Sequence, residues 1–174
     1  IVLANGKAGN MEITTKGQEY NLFCEALAMV TRTLAKMMAG DGEGATKLFE
    51  AKVLNAKTKE DAVVLSKSVI TSNLVKTAVY GSDANWGRIL CALGYAGVEF
   101  NPDIVDIYIE SEGNRIKLCE NGMATDYSEE EATKILSAKE VTAIADMKDG
   151  KSSATAWGCD LTYDYVKING DYRS

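Results

Sequence analysis

Histidine is absent from this chain of 174 residues. Its absence excludes a Ser-His-Asp triad, a Cys-His pair, a histidine zinc site and any histidine general base supplied by this chain. If the protein is an enzyme, its general base is therefore another group or lies on another chain.

Cysteine is sparse and scattered, because Cys24, Cys91, Cys119 and Cys159 stand singly and none belongs to a CxxC pair. Isolated cysteines in a chain without a secretion signal are typically reduced and buried as small apolar side chains. The sequence therefore predicts four free thiols, no metal site and no bound cofactor.

Long apolar runs and an excess of positive charge are also missing. No stretch of about 18 apolar residues is present, and no basic segment precedes an apolar one at the start, so we expect neither a membrane span nor a signal peptide. The net charge of −6 argues against nucleic acid or an anionic membrane as the main partner. These features predict a cytoplasmic protein with small-molecule or protein partners.

The opening run from Ile1 to Gly6 has no methionine and resembles a strand entered midway. It suggests a processed chain or a fragment, with a mobile leader as the alternative.

The periodicity along the chain alternates between helices and strands, and it predicts an α/β protein of the α+β type. Helical spacing is seen over residues 19–38, 58–79, 86–95 and 128–137, and strand alternation over 48–54, 104–110, 115–119, 141–148 and 152–166. Asp149-Gly150 predicts a hairpin between the last two strands. We therefore expect helices packed on mixed or antiparallel sheets within one domain, residues 1–174, with a smaller C-terminal lobe as a variant.

The first candidate functional segment is the glycine-rich stretch from Gly40 to Lys47. A helix precedes it and a strand follows it, whereas phosphate loops run from a strand into a helix N-terminus. The stretch therefore lies at the negative end of a helix and adds Asp41 and Glu43, which favours a cation such as an amino group. The alternative, a tight helix-to-strand connection with capping glycines, is equally consistent with the residues alone.

Two further segments carry polar side chains. Asp83, Asn85 and Arg88 follow the break at Gly81-Ser82, where they could bind a ligand or simply cap the neighbouring helices. The C-terminal stretch from Asn169 to Ser174 offers hydrogen-bonding groups, although an exposed tail usually frays.

Together these segments resemble the ornithine acetyltransferase (glutamate N-acetyltransferase) family. GDGEGATK at 40–47, SDANWGRI at 82–89, NGDYRS at 169–174 and LANG at 3–6 are similar to its signature stretches, in its order and at about its spacing. The resemblance covers essentially the whole chain, identified as the C-terminal part of the family's β chain. It implies the layered sandwich of the DmpA and ornithine acetyltransferase folds.

The family implies a precursor that cuts itself into α and β chains, which assemble as an α2β2 heterotetramer. The N-terminal threonine of β, activated by its own α-amine, takes acetyl from N-acetylornithine and passes it to glutamate. Acetyl-CoA is a further candidate donor. The family's nucleophile lies before Ile1, so no catalytic residue is assigned to this chain.

The resemblance transfers substrate contacts to Glu43, Asn169 and Ser174, where serine replaces the more usual threonine and keeps the hydroxyl. It leaves Asp83, Asn85 and Arg88 as structural or as close to the site. Two alternatives stay open: a related N-terminal-nucleophile amidohydrolase, which passes the acyl group to water, and a non-catalytic binding module.

Overall fold

The computed structural model describes residues 1–172, which places the predicted contact Ser174 outside the described residues. Two compact units are present, residues 1–35 and the chain from Lys36 onward. Within the first unit, residues 1–17 are irregular and contain no strand, so the strand expected at Ile1 is wrong. Three glycines and several polar residues interrupt that stretch before it reaches strand length. Helix α1 then runs from Gln18 to Gly40, which confirms the predicted helix.

The second unit contains a six-stranded mixed sheet together with the helices that pack on it. In chain order the remaining elements are β1 (Leu48–Ala56), α2 (Lys59–Thr71), α3 (Asn73–Tyr80), α4 (Trp86–Gly94), β2 (Asp106–Ser111), β3 (Asn114–Glu120), β4 (Met123–Ala124), α5 (Glu129–Leu136), β5 (Glu140–Asp146), β6 (Ser152–Cys159) and α6 (Tyr163–Asp171). The sheet order is β4-β3-β2-β5-β1-β6. The predicted α/β class with helices on a mixed sheet is confirmed.

Strand β1 contributes one face to the core and lies next to the edge strand β6. Phe49, Ala51 and Val53 are buried on one face, and Leu65 and Val69 of α2 belong to the same cluster. Burial of such side chains stabilises the fold by about 1.5–3 kcal/mol each for the larger ones. A second, smaller cluster joins β2, β3 and β5 to α5 and includes Ile109, Leu118, Leu136 and Val141.

The predicted hairpin between the last two strands is wrong, because β1 lies between β5 and β6. Strand β1 pairs with β5 in parallel and with β6 in antiparallel fashion. The Asp149-Gly150 connection crosses the end of β1, where the amide of Asp149 donates to Asn55 at 2.9 Å. A Cβ on Gly150 would lie 2.3 Å from the carbonyl oxygen of Ala56, so this crossing requires glycine. The chain bends at Asp149, but the residues of the bend do not show that β1 separates the two strands that they connect.

One predicted helix and one predicted strand have different bounds in the structure. The helix predicted over 58–79 is broken at Ser72, whose hydroxyl accepts from the amide of Val75 and begins α3. The last strand ends at Cys159, and residues 163–171 are helical because Thr162 caps α6. Thr58 and Ser128 cap α2 and α5, at the two positions where the helical spacing over 58–79 and 128–137 begins.

Within residues 1–172, no group of histidine, cysteine, aspartate and glutamate side chains could hold a metal ion. No single helix in this part of the chain is long and apolar enough to cross a membrane, and only the bent pair of α2 and α3 reaches that length and hydropathy together.

Candidate substrate-binding site

The glycine-rich loop connects the end of α1 to β1. The amide of Asp41 still donates to Met37, and a turn follows in which the amide of Ala45 donates to Gly42 at 2.9 Å. Gly44 has a φ of +66°, in the left-handed region that glycine adopts without strain. The order of helix, loop and strand is the one that the sequence predicts.

A buried carboxylate holds the last part of this loop. Asp160 is only 3% exposed and follows β6 directly. Its Oδ1 accepts from the amides of Thr46 at 2.8 Å and Lys47 at 3.1 Å, and its Oδ2 accepts from the Thr46 hydroxyl. Three hydrogen bonds to one ionised group fix the loop backbone against the end of β6.

Lys47 extends this anchor into the core. Its ammonium donates to the carbonyl oxygens of Val79 and Leu136, both at 2.7 Å, and to the Ser82 hydroxyl at 2.8 Å. The lysine thereby joins β1 to the C-terminal ends of α3 and α5, where carbonyl groups favour a cation. Burial lowers the pKa of Lys47, and the charge of nearby Asp160 opposes part of that shift.

The loop also contacts the beginning of α6. Thr162 donates from its hydroxyl to the carbonyl oxygen of Gly44 at 2.7 Å and accepts from the amide of Tyr165 at 3.1 Å. A Cβ on Gly44 would lie 2.8 Å from the nitrogen of Tyr165. The loop backbone and the first turn of α6 therefore pack together more closely than any side chain at residue 44 would allow.

Two of the three predicted substrate contacts are neighbours in the structure. Asn169, near the end of α6, donates from Nδ2 to Oε2 of Glu43 at 2.9 Å and to the carbonyl oxygen of Tyr165 at 3.0 Å. These two bonds orient the amide, so its oxygen is left to accept. Within residues 1–172, neither Oδ1 of Asn169 nor Oε1 of Glu43 has a hydrogen-bond donor.

The electrostatics of this pair favour a cation. Both side chains are exposed, so a solute can reach them. Glu43 lies in the loop that follows the C-terminus of α1 at Gly40, and Asn169 belongs to the last turn of α6, which ends at Asp171. Helix C-termini carry partial negative charge, and an ionised carboxylate adds to it. The arrangement suits an ammonium group that receives both free oxygen acceptors.

The polar residues after α3 have structural contacts. Asn85 caps α4 by accepting from the amide of Arg88 at 3.2 Å, and its Nδ2 donates to Asp83 at 3.1 Å. Arg88 donates to the carbonyl oxygen of Leu74 at 2.9 Å and to the Thr77 hydroxyl at 3.3 Å. These bonds join α3 to α4 and involve neither Glu43 nor Asn169.

Sequence reasoning missed the residues that hold the loop, namely Asp160, Thr162 and the buried end of Lys47. The stretch up to Val166 alternates well enough to be read as a strand, which hides the cap. The available signal was Asp160-Leu161-Thr162, because two good capping residues in front of Tyr163 are typical of a helix start.

Known protein sequences match this chain over its whole length. The model of the ArgJ family matches residues 1–174. The chain is 54% identical to the arginine biosynthesis bifunctional protein ArgJ of Caldanaerobacter subterraneus, 53% identical to ArgJ 1 of Clostridium acetobutylicum and 50% identical to ArgJ of Thermotoga neapolitana, in each case over all 174 residues. It spans 43%, 43% and 44% of those relatives, which is well under half of their length.

A solved structure extends the likeness to three dimensions. The crystal structure of the arginine biosynthesis bifunctional protein ArgJ from Bacillus halodurans superposes with a TM-score of 0.92 at 44% sequence identity. The match covers 99% of this chain and 79% of the solved chain.

Proposed function

This chain belongs to the ArgJ family, and we propose that it forms part of a glutamate N-acetyltransferase that moves acetyl from N-acetylornithine to glutamate. The observation that supports this function is the hydrogen bond between Glu43 and Asn169, because two residues expected to contact substrate meet at one exposed, negative position. The chain's part in the reaction is substrate binding, and we assign no nucleophile to it.

In this proposal the Glu43 carboxylate pairs with the free ammonium group of N-acetylornithine. The oxygen of Asn169 accepts a second hydrogen bond from the same group, since its nitrogen is already engaged with Glu43 and with Tyr165. Charge-assisted hydrogen bonds of this kind contribute about 1.5–3 kcal/mol. They hold the donor substrate so that its acetyl group faces the nucleophile of the complete enzyme.

The family resemblance also suggests the partners of this chain. We propose an α chain from the same precursor as the protein partner, in an α2β2 assembly, and a threonine acyl-enzyme as the intermediate. The acetyl–nitrogen bond of N-acetylornithine breaks as the acetyl–oxygen bond to threonine forms, and ornithine leaves. The amino group of glutamate then attacks the ester and restores the threonine.

The test is a product assay on the complete enzyme with N-acetylornithine and glutamate. Formation of N-acetylglutamate and ornithine in equal amounts supports transfer. Release of free acetate with no dependence on glutamate would instead indicate an amidohydrolase. Binding of N-acetylornithine with neither product would indicate a non-catalytic binding module.

A further inference from the structure

The hydroxyl of Thr162 lies between the two parts of the candidate site. The side-chain oxygen of an ordinary helix cap accepts from an amide of the first turn. Thr162 also accepts from the first turn, but it is only 4% exposed and its hydrogen is donated to Gly44, 118 positions away in the sequence. A single buried hydroxyl therefore joins the loop that carries Glu43 to the helix that carries Asn169.

The geometry of α6 places both contacts along one side of the helix. Thr162 and Asn169 are two helical turns apart, a spacing that puts them on the same face, about 10 Å apart along the axis. The carbonyl oxygen of Gly44 accepts at the start of this helix, and the side chain of Glu43 reaches Asn169 in its last turn. The Thr162 bond is the buried end of this contact, and the Glu43–Asn169 bond is its exposed end.

The exposed Glu43–Asn169 hydrogen bond depends on the Thr162–Gly44 hydrogen bond. A hydrogen bond between two exposed side chains is weakened by water, which competes for both partners. The Thr162–Gly44 bond is partly buried and therefore less open to that competition, and its backbone acceptor is the residue after Glu43.

We propose that Thr162 is a positioning residue, which sets the spacing between Glu43 and Asn169 by holding Gly44 on the first turn of α6. The inference rests on the proposed function for its kinetic consequence, but its structural consequence is independent of any activity. Thr162 touches no substrate in this proposal and acts through the loop.

The test compares three variants of the complete enzyme. Thr162→Val removes the hydroxyl and keeps the branched shape, whereas Thr162→Ser keeps the hydroxyl. Thr58→Val is the matched control, because Thr58 caps α2 in the same way, accepting from the amide of Asp61 at 3.0 Å, and has no bond to the loop.

The first measurement is amide hydrogen exchange, which requires no turnover. Thr162→Val should speed exchange at least tenfold at Tyr165, whose amide donates to Thr162, and at Ala45, whose amide shares a peptide group with the Gly44 carbonyl. Thr162→Ser should stay within about twofold of wild type, since tenfold corresponds to one lost hydrogen bond. Thr58→Val should speed exchange only at the start of α2. Unchanged exchange at Ala45 in Thr162→Val would overturn the proposal.

The second measurement separates positioning from general destabilisation. If Thr162 acts through Glu43, Thr162→Val should raise KM for N-acetylornithine about tenfold with kcat within about twofold. In the Glu43→Gln variant, the further substitution Thr162→Val should change KM by less than about twofold. The substrate contact that Thr162 positions is already weakened in that variant. A fall in kcat alone, or the same effect from Thr58→Val, would contradict positioning. If wild type makes no N-acetylglutamate, the proposed function fails, and the exchange measurement alone decides the role of Thr162.

Discussion

Asn169 donates a hydrogen bond of 2.9 Å to Glu43 across 126 positions of sequence. The contact joins a loop at the end of α1 to the last turn of α6, and it leaves one oxygen of each side chain to accept from a ligand. A carboxylate that is held and exposed in this way is suited to bind an ammonium group rather than to act as a core ion pair.

Glu43→Gln in the complete enzyme should lower kcat/KM for N-acetylornithine about ten- to a hundredfold. The substitution keeps the size of the side chain and loses the charge, which removes about 1.5–3 kcal/mol of charge-assisted binding. Folding should be unaffected, because the glycines that shape the loop are unchanged.

Asp41→Asn is the matched control for that measurement, since Asp41 is exposed in the same loop and forms no side-chain hydrogen bond with a described residue. It should change kcat/KM by less than about threefold. Equal and small effects from both substitutions would show that the loop is only a connector.

Local patterns in the sequence were sufficient for much of the fold. The alternation around Phe49 identifies strand β1, and the hydroxyls of Thr58 and Ser128 mark two helix starts. Each of these features depends on neighbours within a few residues, which is the range over which periodicity and capping act. The order of helix, glycine loop and strand around Glu43 likewise predicts that the site favours a cation.

Long-range arrangement was not available from such patterns. The Asp149-Gly150 turn looks the same whether its two strands pair directly or enclose β1, because the pairing depends on a segment about a hundred residues earlier. The roles of Asp160 and Thr162 depend on Thr46 and Gly44 in the same way. The family resemblance, rather than spacing, was the reason to associate Asn169 with Glu43.

Gly44→Ala should destabilise the protein by about 2–3 kcal/mol and lower acetyl transfer. Alanine at a φ of +66° costs about 1–2 kcal/mol, and its Cβ would lie 2.8 Å from the backbone nitrogen of Tyr165. Urea unfolding measures the effect. Gly94→Ala in α4 is the control, because a Cβ there meets nothing within 4 Å. It should leave stability unchanged or raise it by up to about 1 kcal/mol. Similar losses from both substitutions would mean that the close approach at Gly44 is not maintained in solution.

The four cysteines should differ in their reactivity toward a thiol reagent in the 174-residue chain. Cys24 and Cys91 are exposed and should react within the first phase, Cys159 is half-buried and should react more slowly, and Cys119 is buried. Burial raises the pKa of Cys119, which reduces its reactive thiolate further. Four thiols should be counted in denaturant, and Cys119→Ala should remove only the protected one. Fewer than four in wild type would indicate a disulfide and contradict the prediction.

Asp106 is the centre of a network with Lys117 and Lys148, and this network predicts that the stability of the protein depends on pH. The carboxylate is 3% exposed. Burial alone would raise its pKa, but hydrogen bonds from Lys148, the amide of Asn121, Lys117 and the Tyr108 hydroxyl hold the pKa well below its usual range. Asp106→Asn removes the charge that these donors share and should cost about 2–4 kcal/mol at neutral pH.

The sign of the pH effect follows from the lowered pKa. A carboxyl that ionises more readily in the folded state contributes its full stability above its unfolded pKa of about 4 and loses that contribution as the pH falls toward the folded value. The difference in unfolding free energy between wild type and Asp106→Asn should therefore be constant from pH 7 to about pH 5 and shrink steadily below about pH 4. Asp103→Asn, at an exposed carboxylate just before β2, should change stability by less than about 0.5 kcal/mol at neutral pH. A difference for Asp106→Asn that stays constant down to pH 3 would show that the two lysines do not stabilise the ionised form.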